Sequence, residues 1–309
     1  MIYTEVKYMP ERSRIYLGSP ALVRLPDGAI IACHDHFYDE PEAFRGSHPR
    51  LTSIYRSEDD GRSFQHISNI IGAFWSTLFL HRGALYLLGC DRCYGSIVIR
   101  RSDDGGFTWS WPVNETSGLL FRGGEGMTPP NYHCAPVPVT FHNGRIYRAF
   151  EDNVTGHWPT GFQALVISAP EDADLLAASS WRMSNKLPFD AEKVPADWGD
   201  HGPGFLEGNV VAGPDGTLWD VMVYRGKESG TVPALDLNLS PIKEEERAGE
   251  ALFRQVDGNT FRGWAVPVKV SGKGQESMPV VFFSNLYQGK PEFPAWLKKL
   301  KVANNLELD

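Results

Sequence analysis

The stretch IIACHDHFYD, residues 30–39, runs from an apolar strand directly into His34, Asp35 and His36. Three titratable groups at the end of a buried strand require partners or a use. Comparable groups recur at other strand ends: Asp91 and Arg92 in LGCDRC, Glu151 and Asp152 in AFEDN, and Arg225 in MVYRG. The starts of apolar strands add Tyr132 and His133 in YHCAPVPV, and Glu207 and Asn209 in LEGNVVA. A neutral imidazole can take a proton and a phenol can return one. Paired carboxylates can serve as the acid and base of glycoside cleavage. A guanidinium can grip a substrate carboxylate through two parallel hydrogen bonds.

The same region permits a metal reading, because Cys33, His34, Cys90, Cys93, His133 and Cys134 are all zinc-ligand types. Only one CxxC is present, and Cys33 and Cys134 alternate with their neighbouring histidines, so on an extended strand they face the other side. Small buried hydrophobes are the simpler account of these thiols, and no cofactor is expected. Each polar strand end also has a plain structural explanation, as a satisfied network joining neighbouring elements.

The elements that position these groups are read from repeats. RSEDDGRSF (56–64) and RSDDGGFTW (101–109) share S-x-D-x-G-x-x-[F/W], and Ser57 to Ser102 gives a period of 45 (102 − 57). In such a turn Ser and Asp bond the backbone, Gly takes a positive φ and the aromatic packs inward. Between these turns lie hairpins of apolar strand, glycine turn and apolar strand, centred on Gly28, Gly83, Gly144 and Gly216. A hairpin followed by a second one closed by the aspartate turn is a four-stranded unit, and repeats of about 40–50 residues are β-propeller blades. The expected fold is therefore all-β: a propeller of four-stranded antiparallel blades, about five to seven in number, with an incomplete C-terminus allowed. Residues 1–270 form the propeller and 271–309 a remnant blade or tail. PEDADLLAASSW and PIKEEERAGEALF are expected to hold short helices, and RQVDGNTFRGW a degraded aspartate turn.

In an antiparallel blade the glycine and aspartate turns share one rim. The opposite rim receives the start of the innermost strand and the end of the second. His34, Asp35, His36, Asp91, Arg92, Tyr132, His133, Glu151, Asp152, Glu207, Asn209 and Arg225 are thus expected to converge on a funnel near the axis. Phe37, Tyr38, Trp75, Trp158 and Trp198 stand near that rim, as sugar-stacking surfaces or as loop anchors.

The chain has 309 residues, 42% of them hydrophobic and 22% charged, with net charge −8, which argues against a nucleic-acid binder. No stretch approaches the ~18 apolar residues of a membrane helix. The N-terminus lacks signal-peptide features, so a soluble chain is expected, and a removed leader would make it secreted or periplasmic.

The aspartate turns resemble those of the sialidase superfamily. A closer resemblance, over about residues 15–226, is to the sialidase-like propellers that cleave rhamnose–glucuronate linkages in polysaccharides. It is carried by GSPALVRLPDG…ACHDHF, LFLHRGALYLLG, YHCAPVPVTFHNGRIYRAFED and FLEGNVVAGPDGTLWDVMVYR. The resemblance implies a glycoside hydrolase or polysaccharide lyase with His34 as its catalytic histidine, and Tyr132 and His133 as the pair opening a later blade. From their expected place in the funnel, His34, His133, Tyr132 and Glu207 are the candidate catalytic groups, and Asp35, His36, Arg92, Glu151, Asp152, Asn209 and Arg225 the candidate substrate contacts. The chain departs from that family in offering four clear blades where the relatives are seven-bladed, and oligomerisation could complete it. It also lacks the Arg-Ile-Pro signature and the visible arginine triad of true sialidases. The expected partner is an oligo- or polysaccharide. The alternatives are a sialidase-like exo-glycosidase, a non-catalytic glycan-binding propeller, or a protein-interaction platform, which needs no clustering of titratable groups.

Overall fold

The computed structural model describes residues 4–38, 46–156, 161–188, 205–212, 218–224, 265–269 and 277–284. Among these the chain is all-β apart from two 3-10 turns, Glu11–Ser13 and Ala178–Ser180, the second inside PEDADLLAASSW. None of the described helices is long and apolar enough to cross a membrane.

The described strands form four sheets. The first holds β1 (Ile15–Arg24), β2 (Ile30–Tyr38), β3 (Leu51–Ser57) and β4 (Gln65–Ile71), paired antiparallel in chain order. The second repeats this with β5 (Phe74–His81), β6 (Ala84–Cys90), β7 (Ile97–Ser102) and β8 (Leu119–Phe121). The third contains β9 (Tyr132–His133), β10 (Thr140–His142), β11 (Arg145–Asn153), β12 (Phe162–Pro170), β13 (Arg182–Met183) and β14 (Leu187–Pro188). Here β9 and β10 both pair with β11, while β13 and β14 both pair with β12, so each outer position is one strand broken in two. Pro136 and Pro138 lie in the first break, where a residue without an N–H cannot continue the ladder.

The fourth sheet holds β15 (Phe205–Ala212), β16 (Leu218–Tyr224), β17 (Ala265–Lys269) and β18 (Ser277–Ser284) in the order β15-β16-β18-β17. Its β16 and β18 run parallel, which corrects the expectation of antiparallel pairing throughout. A long connection separates β16 from β18 in sequence, and only a tight hairpin would have forced the antiparallel sense. Residues 277–284, beyond the boundary expected at 270, occupy the middle of this sheet. RQVDGNTFRGW and PIKEEERAGEALF lie outside the described residues.

Local chemistry explains the hairpins. The β5–β6 and β10–β11 loops have two residues each, and both residues take positive φ: Arg82 and Gly83 at 49° and 81°, Asn143 and Gly144 at 47° and 72°. That twist matches the right-handed twist of the strands it joins. The two aspartate turns share one bonding scheme. Ser57 Oγ donates to Asp59 and accepts from the Gly61 N–H, and Ser102 does the same with Asp104 and Gly106. The residue four after each aspartate, Ser63 or Thr108, donates both its N–H and its hydroxyl back to it.

Sheets stack through alternating apolar faces. Ile31, Cys33, Ile54, Leu78, Leu85 and Leu87 fill the layer between the first two sheets, closed by Ala21, Val23 and Trp109. Leu88, Ile97, Ile99, Ile146, Phe150, Leu165 and Ile167 fill the next. Each such side chain contributes roughly 1.5–3 kcal/mol on burial. The third sheet packs in turn on the fourth through β11 and β15.

Candidate active site

The first strands of three of the four described sheets carry the same irregularity. Pairing shifts by one residue between Gly18 and Ala21 in β1, Phe74 and Thr77 in β5, and Leu206 and Asn209 in β15. The residue after the first of each pair has left-handed backbone: Ser19 at φ 50°, Trp75 at 50° and Glu207 at 58°. Non-glycine residues reach that region at a cost of roughly 1–2 kcal/mol, so surrounding bonds must hold them there. In the third sheet the break after His133 falls at the equivalent position, since His133 opposes Glu151 as Gly18 opposes Asp35 and Phe74 opposes Cys90.

These bulges converge. A cavity of about 400 Å3 is lined by Ser19, Trp75 and Glu207 together with His133, Cys134, Ala135 and Pro136 from the third sheet, and by Phe37 and Tyr94. Its size is within the range of small-molecule sites. Trp75 meets the His133 ring edge-to-face at 4.3 Å and the Tyr94 ring at 5.6 Å. Phe37 packs on Phe74 at 4.8 Å.

Buried ionisable side chains hold the bulges from below. The Trp75 N–H and the Thr52 hydroxyl each donate to Asp35 at 2.5 Å. Burial pushes the Asp35 carboxyl up to about 7 against the pull of these donors. Arg148, wholly buried, donates to the carbonyls of Trp75 at 2.8 Å and Ala135 at 2.9 Å, and to that of Leu88. Glu151, also wholly buried, receives the Gly208 N–H at 3.0 Å on Oε1 and bonds His133 Nδ1 at 2.7 Å through Oε2.

Of the twelve strand-end residues expected to converge, His133 and Glu207 line this cavity. Glu151 and Asp35 lie behind its wall as supports, which corrects their assignment as substrate contacts: both are 0% exposed. His34 is not brought to the cavity. Its ring belongs to the opposite face of the first sheet, where Nε2 bonds the Tyr55 hydroxyl at 3.1 Å and the His36 ring lies tilted beside it at 5.0 Å. Burial pushes His34 down to about 4 and lowers His36 as well. His36 shares a 2.8 Å hydrogen bond with the Ser53 hydroxyl.

Tyr132 is buried next to His133 but is not among the cavity residues; burial and the nearby Asp152 push its phenol up to about 12. Asp152 is taken up by the Asn131 N–H at 2.7 Å and Lys186 Nζ at 2.6 Å. Arg92 clamps loops, donating to the carbonyls of Gly46 and Gly124 at 2.7 Å each and to Asp91 at 2.8 Å. Asp91 also accepts the Ser96 N–H at 2.8 Å. Asn209 is half-buried two residues beyond Glu207 and does not line the cavity. Arg225, Trp158 and Trp198 lie outside the described residues.

Sequence reasoning missed Tyr94, Ser19 and Arg148. Tyr94 was visible two residues after Arg92, and Arg148 as a cation within the apolar alternation of RIYRAF. Nothing in the sequence marked Ser19. Cys33, Cys90, Cys93 and Cys134 are not joined in disulfides. Among the described residues no group of three or more His, Cys, Asp or Glu side chains is placed to hold a metal.

No protein-family model and no curated protein matches this chain. Solved structures with a similar course of chain include the α-L-arabinanase of Penicillium chrysogenum complexed with arabinobiose, at 17% identity and TM-score 0.44, over 86% of this chain and 81% of that one. The GH93 α-L-arabinofuranosidase of Fusarium graminearum matches at 14% identity and TM-score 0.46, over 88% and 67%. The Trypanosoma rangeli sialidase matches at 14% and 0.41, over 65% of this chain and 28% of its own. Likenesses this loose carry no inference about chemistry.

Proposed function

We propose that this chain is a carbohydrate-active enzyme that cleaves a terminal glycosidic linkage in the cavity between its sheets. The observation that carries the reading is the joint placement of His133 and Glu207, from different sheets, on a cavity walled by Trp75, Tyr94 and Phe37. Aromatic faces suit the apolar faces of a sugar ring, while an imidazole and a carboxylate suit proton exchange at its oxygens. In hydrolysis one of the two protonates the departing oxygen and the other takes the proton of the attacking water. Successive sheets sharing one polar cavity also support a propeller-type arrangement of the whole.

The finer reading is a rhamnose–uronate linkage, from the family resemblance. Its uronate needs a cation, and a lyase needs one so that the C5 proton becomes acidic enough for His133 to remove. Arg92 is committed to loop carbonyls, so Arg225 is the candidate.

The test is turnover on rhamnosyl-glucuronate and on neutral arabino-oligosaccharides by the wild type, His133→Ala and Glu207→Gln. Loss of turnover in both variants with folding intact is the expected result. Ultraviolet-absorbing unsaturated uronate identifies elimination, and reducing sugar alone identifies hydrolysis. Saturable glycan binding with no product would reduce the protein to a lectin-like module, and undiminished turnover in His133→Ala would remove the proposed site.

A further inference from the structure

Two carboxylates at matching positions hold bulges of the following sheet, and they differ in one respect. Asp35 receives the N–H of Trp75 and otherwise meets hydroxyl groups. Glu151 receives the N–H of Gly208, next to Glu207, and spends its second oxygen on His133 Nδ1. A carboxylate needed only as a clamp would require no imidazole. Gly208 is also the only residue type that fits, because a Cβ there would lie 2.6 Å from Asp220 Oδ1 and 2.8 Å from Ala149 Cβ.

We infer that Glu151 is the positioning residue of this site: one carboxylate fixes the tautomer and orientation of His133 and, through the Gly208 N–H, aims Glu207 into the same cavity. This rests on the glycan-cleaving reading for its consequence in turnover, though not for its geometry. With Oε1 accepting the Gly208 N–H, Oε2 is placed to accept from His133 Nδ1–H, and Nε2 is then the nitrogen that exchanges a proton with a sugar oxygen. Both proton-transfer groups are thereby registered to a single atom group at the seam of two sheets. Asp220 stands on the other side of Gly208, wholly buried, with no hydrogen-bond partner for either oxygen among the described residues. Burial, and after it the charge of Glu151, hold its carboxyl well above the usual range, so Asp220 is a neutral neighbour.

Glu151→Gln separates positioning from mere support. The amide oxygen still accepts the Gly208 N–H, which turns the amide NH2 toward Nδ1 and forces the proton to Nε2. Nitrogen NMR of labelled protein is expected to show His133 protonated at Nδ1 in the wild type and at Nε2 in Glu151→Gln. The kcat should fall by about 10³–10⁴-fold, the scale of wrong-tautomer variants, with KM within a few-fold. Glu151→Ala, which loses both bonds, should be less stable, and a failure to fold leaves the Gln variant as the test. An unchanged His133 tautomer in Glu151→Gln, or a kcat within tenfold of wild type, overturns the inference. The NMR measurement needs no substrate, so inactivity of the wild type on every glycan would defeat the functional reading alone. Retained turnover in His133→Ala alongside the tautomer flip would do the same.

Discussion

The carboxylate of Asp35 in the first sheet accepts the backbone N–H of Trp75 in the second at 2.5 Å. One hydrogen bond therefore joins two sheets and stabilises a bulky residue in a left-handed conformation that its side chain disfavours. The wall of the cavity is set by an acid that never touches its contents.

Asp35 and its neighbour His34 make opposite contributions to stability with pH. Asp35 is raised from 3.8 to about 7, so its contribution is complete below about pH 3.8 and is lost as pH rises to about 7. His34 is lowered from 6.5 to about 4, so its contribution is complete above about pH 6.5 and is lost as pH falls to about 4. The two offset each other between these limits. Urea unfolding at several pH values should show stability falling with pH in His34→Gln and rising with pH in Asp35→Asn. The same slope in both variants would contradict the assignment.

His34 also provides a functional contrast. It stands on the face of the first sheet away from the cavity, against Tyr55 and His36. Turnover in His34→Gln should stay within a few-fold of wild type, while His133→Ala loses at least about 100-fold. The reverse ranking would return catalysis to the strand end of the first hairpin.

Glu207 is exposed and left-handed at φ 58°, a conformation glycine adopts without strain. Glu207→Gly should therefore keep or gain thermal stability, by about 1 kcal/mol at most, while turnover disappears. Glu207→Ala should be the less stable of the two. Melting curves paired with rate measurements check both halves, and a Gly variant markedly less stable than the Ala variant would refute the strain argument.

Trp75 shares the left-handed backbone but is 9% exposed, and its ring packs on Phe74, Tyr94 and His133. Removing the ring in Trp75→Gly should cost roughly 3–5 kcal/mol despite the backbone relief. Trp75→Phe should fold and bind sugar more weakly, raising KM by about tenfold. Calorimetric titration of the Phe variant with an oligosaccharide decides whether the ring is a sugar platform or packing alone.

The aspartate turns should answer to stability and not to rate. Asp59 is held down at about 2 by the Ser63 hydroxyl and N–H and by Ser57, and Asp104 is lowered by the equivalent Thr108 and Ser102 donors. Asp104→Ala should lower the melting temperature at neutral pH with turnover unchanged. Because the Asp104 pKa is depressed, the difference from wild type should shrink as pH falls through the ordinary carboxylate range and below it.

Much of this architecture was legible in the chain. Alternation of apolar residues, paired glycine turns and the S-x-D-x-G repeat act over a few residues, so each hairpin carries its own instruction. The concentration of ionisable groups at strand ends was legible for the same reason. The parallel pairing of β16 with β18 was not, because it depends on a partner more than 50 residues away.

By itself the sequence determined an all-β chain of repeated hairpins with polar tips. Tertiary structure decided which tips share a cavity. A strand's parity assigns its faces only while the ladder is regular, and a single-residue bulge reverses that parity. Ser19, Trp75 and Glu207 take the left-handed position of such bulges without being glycine; Asp35 and Arg148 reach across to hold Trp75, and Glu151 holds Gly208 beside Glu207. Those bonds exist only once the sheets have stacked, and so His133 and Glu207 line one cavity while His34, on the strand directly opposite the β1 bulge, faces away.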